Sequence, residues 1–139
     1  MDLSGFANPW EHIRLLSDGP RNELLLQLLK KRAPGARVLE VGCGTGLLSC
    51  IAAKMGAVEV IGVEPTPLIE VARSLVEDNG LKQVTLLESR VEDAEPRPVD
   101  LAFSELLNAD PFYEGVVGAM AAARKWVVDG GHWAPQRLK

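Results

Sequence analysis

Val38-Leu39-Glu40-Val41-Gly42-Cys43-Gly44-Thr45-Gly46-Leu47-Leu48-Ser49 is the stretch that decides the fold. A short apolar run leads into three glycines and then into a second apolar run at helical spacing. Glycines in that place let the chain turn sharply from strand to helix, and they let a ligand approach the backbone with no Cβ in the way. The spacing is G-x-G-x-G rather than the G-x-G-x-x-G of dinucleotide sites, and an acidic residue, Glu40, stands just before the loop.

Outward from the loop, strand and helix signals alternate. Pro20 suits the first position of a helix, and Leu24, Leu25, Leu28 and Leu29 recur at helical spacing before Ala33-Pro34-Gly35 ends it. Arg37 to Val41 reads as a buried strand, Leu47 to about Met55 as a helix stopped by Gly56, and Val58 to Val63 as a second strand. Thr66-Pro67 reads as an N-cap and first turn of a helix that closes at Asn79-Gly80. Val84 to Leu87 and Val99 to Phe103 are further strands, Asp110-Pro111 opens a last helix ending near Trp126, and Gly131 to Ala134 is a fifth strand. The alternation predicts an α/β fold, a doubly wound, mostly parallel open sheet of about five strands in the order 3-2-1-4-5. Right-handed crossovers then put a ligand crevice at the carboxyl ends of the first strands.

At 139 residues the chain is the size of one domain. Residues 1–19 are expected to form an irregular or short helical covering segment, and residues 20–139 the domain proper. A net charge of −4 argues against an electrostatic grip on nucleic acid or an anionic membrane. No window approaches the roughly 18 apolar residues of a membrane span. Cys43 and Cys50 have no companion Cys or paired His to suggest a metal, so they read as small core residues in a reducing, cytoplasmic setting.

Glu64, ending the second strand, is placed to accept hydrogen bonds from both hydroxyls of a ribose, and Glu92, just after the third, to meet an adenine amino group. Taken singly, such carboxylates are as readily solvated surface charges. Their recurrence at strand ends beside the loop favours a nucleoside ligand.

Residues 38–49 resemble motif I of class I S-adenosylmethionine (SAM)-dependent methyltransferases, which have a Rossmann-like fold, and Val60-Ile61-Gly62-Val63-Glu64 resembles the acidic motif that follows it. Two further segments resemble the protein arginine N-methyltransferases. Ser104-Glu105 and Tyr113-Glu114, with the two glutamates nine residues apart, are similar to that family's double-Glu loop. His12 to Arg21 is similar to its H-x-x-M-L-x-D-x-x-R segment, with Leu15 in place of the Met. The resemblance implies that Gly42, Cys43, Gly44, Gly46 and Leu47 line the methionine part of SAM. It likewise implies that Glu64 and Pro65 meet the ribose, that Val91 and Glu92 meet the adenine, and that Arg21, with His12 beside it, holds the methionine carboxylate. Glu105 and Glu114 would then be the catalytic pair, the acceptor an arginine in a protein or peptide, the product S-adenosylhomocysteine, and no metal would take part. The family continues into a C-terminal β-barrel that these residues do not include. A homodimer or a partner subunit is therefore expected in its place. A small-molecule N- or O-methyltransferase and a non-catalytic SAM-binding subunit are the alternatives.

Overall fold

The computed structural model describes residues 20–104 and 116–134. Helix α1 (Pro20–Arg32) precedes strand β1 (Arg37–Val41), helix α2 (Leu47–Lys54) and strand β2 (Glu59–Val63). Helix α3 (Ile69–Asp78) leads to strand β3 (Val84–Leu87), a single 3-10 turn (Val91–Asp93) and strand β4 (Val99–Phe103). Helix α4 (Val116–Arg124) and strand β5 (Val127–Ala134) complete the described chain.

The five strands form one sheet in the order β3-β2-β1-β4-β5, every pairing parallel, as the alternation predicts. Successive side chains of a strand face opposite sides of a sheet, and both sides of this one are filled. Val38, Val60, Leu101 and Phe103 pack with Leu25, Leu26 and Leu29 of α1 and Ile51 and Ala52 of α2. On the opposite side Leu39, Val41, Ile61, Val63 and Ala102 pack with Val91, Ala123 and Trp126. Burial on both faces explains why β1 and β2 read as continuous apolar runs.

α3 docks beside α2, where Cys50 and Leu75 are buried together. At the amino ends of the strands, Arg37 of β1 clips Asp100 of β4. Its backbone amide and Nε donate to Asp100 Oδ2 at 2.9 and 3.1 Å, and its Nη2 donates to Oδ1 at 3.1 Å. That end of the sheet is therefore fixed by a two-pronged, charge-assisted contact, which leaves the carboxyl ends to the loops.

Two boundaries differ most from the reading of the sequence. α3 begins at Ile69, not at Thr66-Pro67, and those residues form a tight turn in which the Ile69 and Glu70 amides donate to the carbonyls of Thr66 (3.1 Å) and Pro67 (3.0 Å). β5 begins at Val127 and contains an irregularity, because Val99 pairs with Val127 while Leu101 pairs with His132. Gly130, at φ 81, takes up the extra residues. No described helix is long and apolar enough to cross a membrane.

Candidate functional site

The carboxyl ends of β1 and β2 meet at the glycine loop. Gly42, Gly44 and Gly46 have φ of 69, 54 and 80, in the left-handed region that other residues enter at a cost. Gly46 is also a point of close approach, since a Cβ there would lie 2.7 Å from Ala72 Cβ on α3. A Cβ on Gly44 would meet nothing within 4 Å among the described residues, which leave the loop open on that side. The two glycines do different jobs: Gly46 lets α2 and α3 pack, and Gly44 keeps a surface clear.

The loop amides are turned inward. Gly42 and Cys43 both donate to the Val63 carbonyl at 2.9 Å, Gly46 donates to the Cys43 carbonyl at 2.8 Å, and Gly44 donates to Glu64 Oε1 at 2.9 Å. A phosphate-binding loop needs its N–H groups aimed at the anion, whereas these four are satisfied within the protein. A carboxylate stands where a phosphate would otherwise come. The arrangement favours a ligand with hydroxyl donors or positive charge over one with a pyrophosphate.

Glu64 is buried, at 6% exposure. Its second oxygen, Oε2, accepts from the Thr66 amide at 3.0 Å and the Thr66 hydroxyl at 2.6 Å. Pro65, between them, is exposed. Beneath the loop, Glu40 is 1% exposed and accepts from the Ser49 hydroxyl at 2.6 Å. It is a buried member of the β1–α2 junction, not a solvated charge at a strand end. Gly62, level with Glu40 in the parallel register, leaves room for the Ser49 hydroxyl and the Cys43 thiol, each 3.1 Å from where its Cβ would be.

Cys43 and Cys50 are buried free thiols, in keeping with their reading as core residues. Burial pushes both up to about 12, and the nearby Glu40 carboxylate adds to the shift. Neither is a nucleophile at neutral pH.

Val91, 3% exposed, packs in the 3-10 turn against the layer that holds Val41 and Val63, so it joins the ends of β1 and β2. Glu92, next to it, is exposed, with Oε2 3.7 Å from Arg90 Nε. A groove of about 450 Å³ lies just past β3 between Leu87 and Arg97, and it shares no lining residue with the predicted site. Leu47, half-buried, opens α2. Arg21 stands in the first turn of α1. His12, Glu105 and Glu114 lie outside the described residues.

Ser104 closes the described part of β4's exit. It is buried, and its hydroxyl donates to the Val41 carbonyl at 2.8 Å, which ties the residue before Glu105 to the residue before Gly42. Reading the sequence missed three contacts: Ser49 on Glu40, Thr66 on Glu64 and Ser104 on Val41. For Thr66 a signal existed, a hydroxyl two residues after a strand-end carboxylate. For the other two the partners are 9 and 63 residues apart, and nothing local announces them. Among the described residues no group of His, Cys, Asp and Glu is arranged to hold a metal ion.

An open sheet with an amide-satisfied glycine loop and a buried strand-end carboxylate defines a nucleoside-binding domain of the methyltransferase type. The chain belongs to the methyltransferase-domain family, whose model matches residues 32–126. Its relatives there include protein arginine N-methyltransferases. It is 44% identical over 104 residues to protein arginine N-methyltransferase 1 of Saccharomyces cerevisiae, covering 72% of this chain and 30% of that protein. To the Chlamydomonas reinhardtii protein of the same name it is 34% identical over 133 residues, covering 91% and 39%.

Among solved structures, Arabidopsis thaliana protein arginine methyltransferase 10 superposes with a TM-score of 0.76 at 33% identity, covering 86% of this chain and 36% of that one. The Trypanosoma brucei PRMT1 enzyme-prozyme heterotetrameric complex with AdoHcy gives a TM-score of 0.74 at 30% identity, covering 91% and 43%. The chain thus spans 30% and 39% of the length of the two curated relatives named.

Proposed function

We propose that this chain transfers a methyl group from S-adenosylmethionine to a guanidinium nitrogen of an arginine in a protein or peptide. The observation that carries the cofactor assignment is the pairing of Gly44 with Glu64: an open glycine cradle whose amide is held by a buried carboxylate. That donor set fits a ribose and a cationic ligand and does not fit a pyrophosphate. The relatedness to arginine methyltransferases supports the choice of acceptor.

S-adenosylmethionine, when bound, supplies an electrophilic methyl group on a sulfonium. Gly42, Cys43, Gly44, Gly46 and Leu47 give its methionine part access to backbone without steric obstruction. Glu64 and Pro65 face the ribose, Val91 and Glu92 the adenine, and Arg21 with His12 the methionine carboxylate. Residues 1–19 serve as the cover. Glu105 and Glu114 hold the acceptor. A guanidinium is planar, always charged and delocalised, so its nitrogens are poor nucleophiles. Two carboxylates that grip it bidentately draw positive charge away from the remaining nitrogen and fix its direction. Orientation of that kind supplies about 7–11 kcal/mol of a barrier.

The buried free thiols suit a reducing compartment, and we place the protein in the cytoplasm. The Trypanosoma brucei relative is a heterotetramer of enzyme and prozyme. It supports an oligomer here as well, with a second copy or a partner subunit. It also keeps a second reading in view, a SAM-binding subunit that works through a catalytic partner.

The test is incubation with radiolabelled S-adenosylmethionine and an arginine-rich peptide, beside the same peptide with lysines and a Glu105→Gln variant. Label in the arginine peptide alone, lost in the variant, is the expected result. Cofactor binding by calorimetry without label in any peptide would overturn the catalytic claim and favour the subunit reading.

A further inference from the structure

The amino end of the sheet, opposite the candidate site, carries a surface of its own. Two connections meet there: Gly35 donates to the Gly56 carbonyl and Val58 to the Ala36 carbonyl, both at 2.9 Å. A third is tied in by the Gln83 side-chain amide, which donates to the Ala53 carbonyl at 3.4 Å. The ends of α1 and α2 and the entry to β3 are thereby joined. Pro34, Gly35, Gly56 and Val58 are exposed on this surface, Val58 to 59%. Around them stand three exposed lysines: Lys31 in the last turn of α1, Lys54 at the end of α2 and Lys82 just before β3. Among the described residues, none of these three is in an ion pair. Glu59, next to Val58, is half-buried and level with Arg37 in the strand register. Cations in a helix's last turn offset its macrodipole, which is reason enough for Lys31 and Lys54. It gives no reason for Lys82, which belongs to no helix, or for an exposed valine in their midst.

We propose that this patch is a docking surface for an acidic segment of a partner protein, one that carries apolar side chains among its carboxylates. The apolar side chains cover Val58 and Pro34, and the carboxylates meet Lys31, Lys54 and Lys82. An apolar centre within a polar rim is the usual layout of a protein–protein interface. The chain's net charge of −4 does not oppose this. The acids at the carboxyl ends lie a strand's length away, about 16 Å for the five residues of β1. That is about twice the screening length of about 8 Å at physiological salt, so the lysines set the local field. Nucleic acid fits the patch less well. A phosphate backbone makes no use of Val58, and no described aromatic residue is exposed for a base to stack on.

The experiment is fluorescence anisotropy with a short labelled peptide of glutamates with leucines interspersed. Beside it run the same peptide with serine for leucine, its lysine counterpart and a single-stranded RNA oligonucleotide. The proteins are the unaltered chain, the triple variant Lys31→Glu, Lys54→Glu, Lys82→Glu, and Val58→Ser. The Glu/Leu peptide should bind the unaltered chain, and the triple variant at least about tenfold more weakly, as the loss of three exposed ion pairs implies. Val58→Ser should bind it about threefold more weakly, and that penalty should vanish with the serine peptide, which has nothing to place on Val58. Failure of the Glu/Leu peptide to bind overturns the proposal, as does equal binding by the triple variant. Tighter binding of the oligonucleotide, lost in the triple variant, would instead assign the patch to nucleic acid. Self-association seen by sedimentation and abolished in the triple variant would assign it to a second copy. Should charge reversal prevent folding, Lys54→Gln with Lys82→Gln is read in the same way. Calorimetry with S-adenosylhomocysteine should give the same affinity within about twofold in every variant, so this proposal and the cofactor reading fail separately.

Discussion

Gly44→Ala and Gly46→Ala look alike in sequence, and the structure predicts opposite consequences for them. Both positions have positive φ, 54 and 80, so each alanine incurs the left-handed penalty of about 1–2 kcal/mol. At Gly46 the new methyl would also lie 2.7 Å from Ala72 Cβ and 3.1 Å from Ala72 Cα. Neither of those atoms is the far end of a flexible side chain, so α3 must move, and overpacking of this kind costs about 1–3 kcal/mol more. Gly46→Ala should therefore lose about 2–5 kcal/mol and Gly44→Ala about 1–2. For a domain of this size, 1 kcal/mol corresponds to about 4 °C of melting temperature. Thermal and urea unfolding should rank them clearly. Calorimetry with S-adenosylhomocysteine should rank them the other way per unit of stability lost, because the methyl on Gly44 enters the open cradle. Gly44→Ala is expected to bind at least about tenfold more weakly while remaining the better folded of the two. Equal stability losses would refute the packing argument for Gly46. Unchanged affinity in Gly44→Ala would refute the assignment of that open side to the ligand.

Ser49→Ala should cost about 1–3 kcal/mol in urea unfolding by removing a donor from the buried Glu40 carboxylate. A loss under about 0.5 kcal/mol would show that Glu40 does not depend on it. The Arg37 guanidinium and amide hold the Asp100 carboxyl below its ordinary range. A carboxyl depressed in the folded state stabilises above its unfolded pKa, about 4, and loses that effect as pH falls through the folded value. The stability advantage of the natural chain over Asp100→Asn should accordingly be full at neutral pH and shrink below about pH 4; an advantage that grows in acid would reverse the sign. Cys43 and Cys50, with thiols near 12, should resist a disulfide reagent at pH 8 in the folded protein and react, both of them, in urea. Rapid labelling of the native chain would contradict their burial.

Much of the fold was legible because its signals are local. β1, β3 and β4 begin and end where the apolar runs do, and α1 starts at Pro20, whose missing N–H a first turn does not need. Misreadings arose where one residue served two masters. Thr66 and Pro67 have the chemistry of an N-cap and first turn, and the Thr66 hydroxyl oxygen accepts from the Leu68 amide while its proton goes to Glu64. The turn, however, closes through bonds from Ile69 and Glu70 three residues on, so the regular helix starts three residues after Thr66. Gly131 to Ala134 reads as the whole of the fifth strand, starting at the second glycine of Gly130-Gly131. In the structure Val127 is already paired with Val99, and the glycines absorb an irregularity within one strand. Glu40 is harder, because β1 is buried on both faces and alternation carries no information about which polar residue has found a partner. Its partner, Ser49, sits on the buried side of α2. Of the candidate site, the residues written in one continuous motif meet Glu64 at the ends of β1 and β2, whereas Glu105, Glu114 and His12 lie in segments outside the described residues and rest on resemblance.

The position of the site follows from the order of the strands. The chain runs outward from β1 to β2 to β3, then crosses back over β1 to lay down β4 and β5 on its other side. The connections leaving β1 and β4 therefore diverge, and a crevice opens between two strands that are themselves neighbours. Two contacts govern its mouth. Ser104 at the end of β4 donates to Val41 at the end of β1, so the strands cannot splay where the loops depart. Gly44 donates to Glu64, so the loop leaving β1 leans toward β2. The first fixes where the segment beginning with Glu105 starts, and the second fixes which way the glycine cradle faces. On the proposed function, a cofactor across β1 and β2 and an acceptor at residues following β4 would be brought together by the sheet's own topology. Loss of the Ser104 hydroxyl should separate them without disturbing either alone. Ser104→Ala is expected to keep S-adenosylhomocysteine affinity within about twofold while label transfer to an arginine peptide falls at least about tenfold. A parallel fall in both would mean that Ser104 supports the cofactor loop and nothing further.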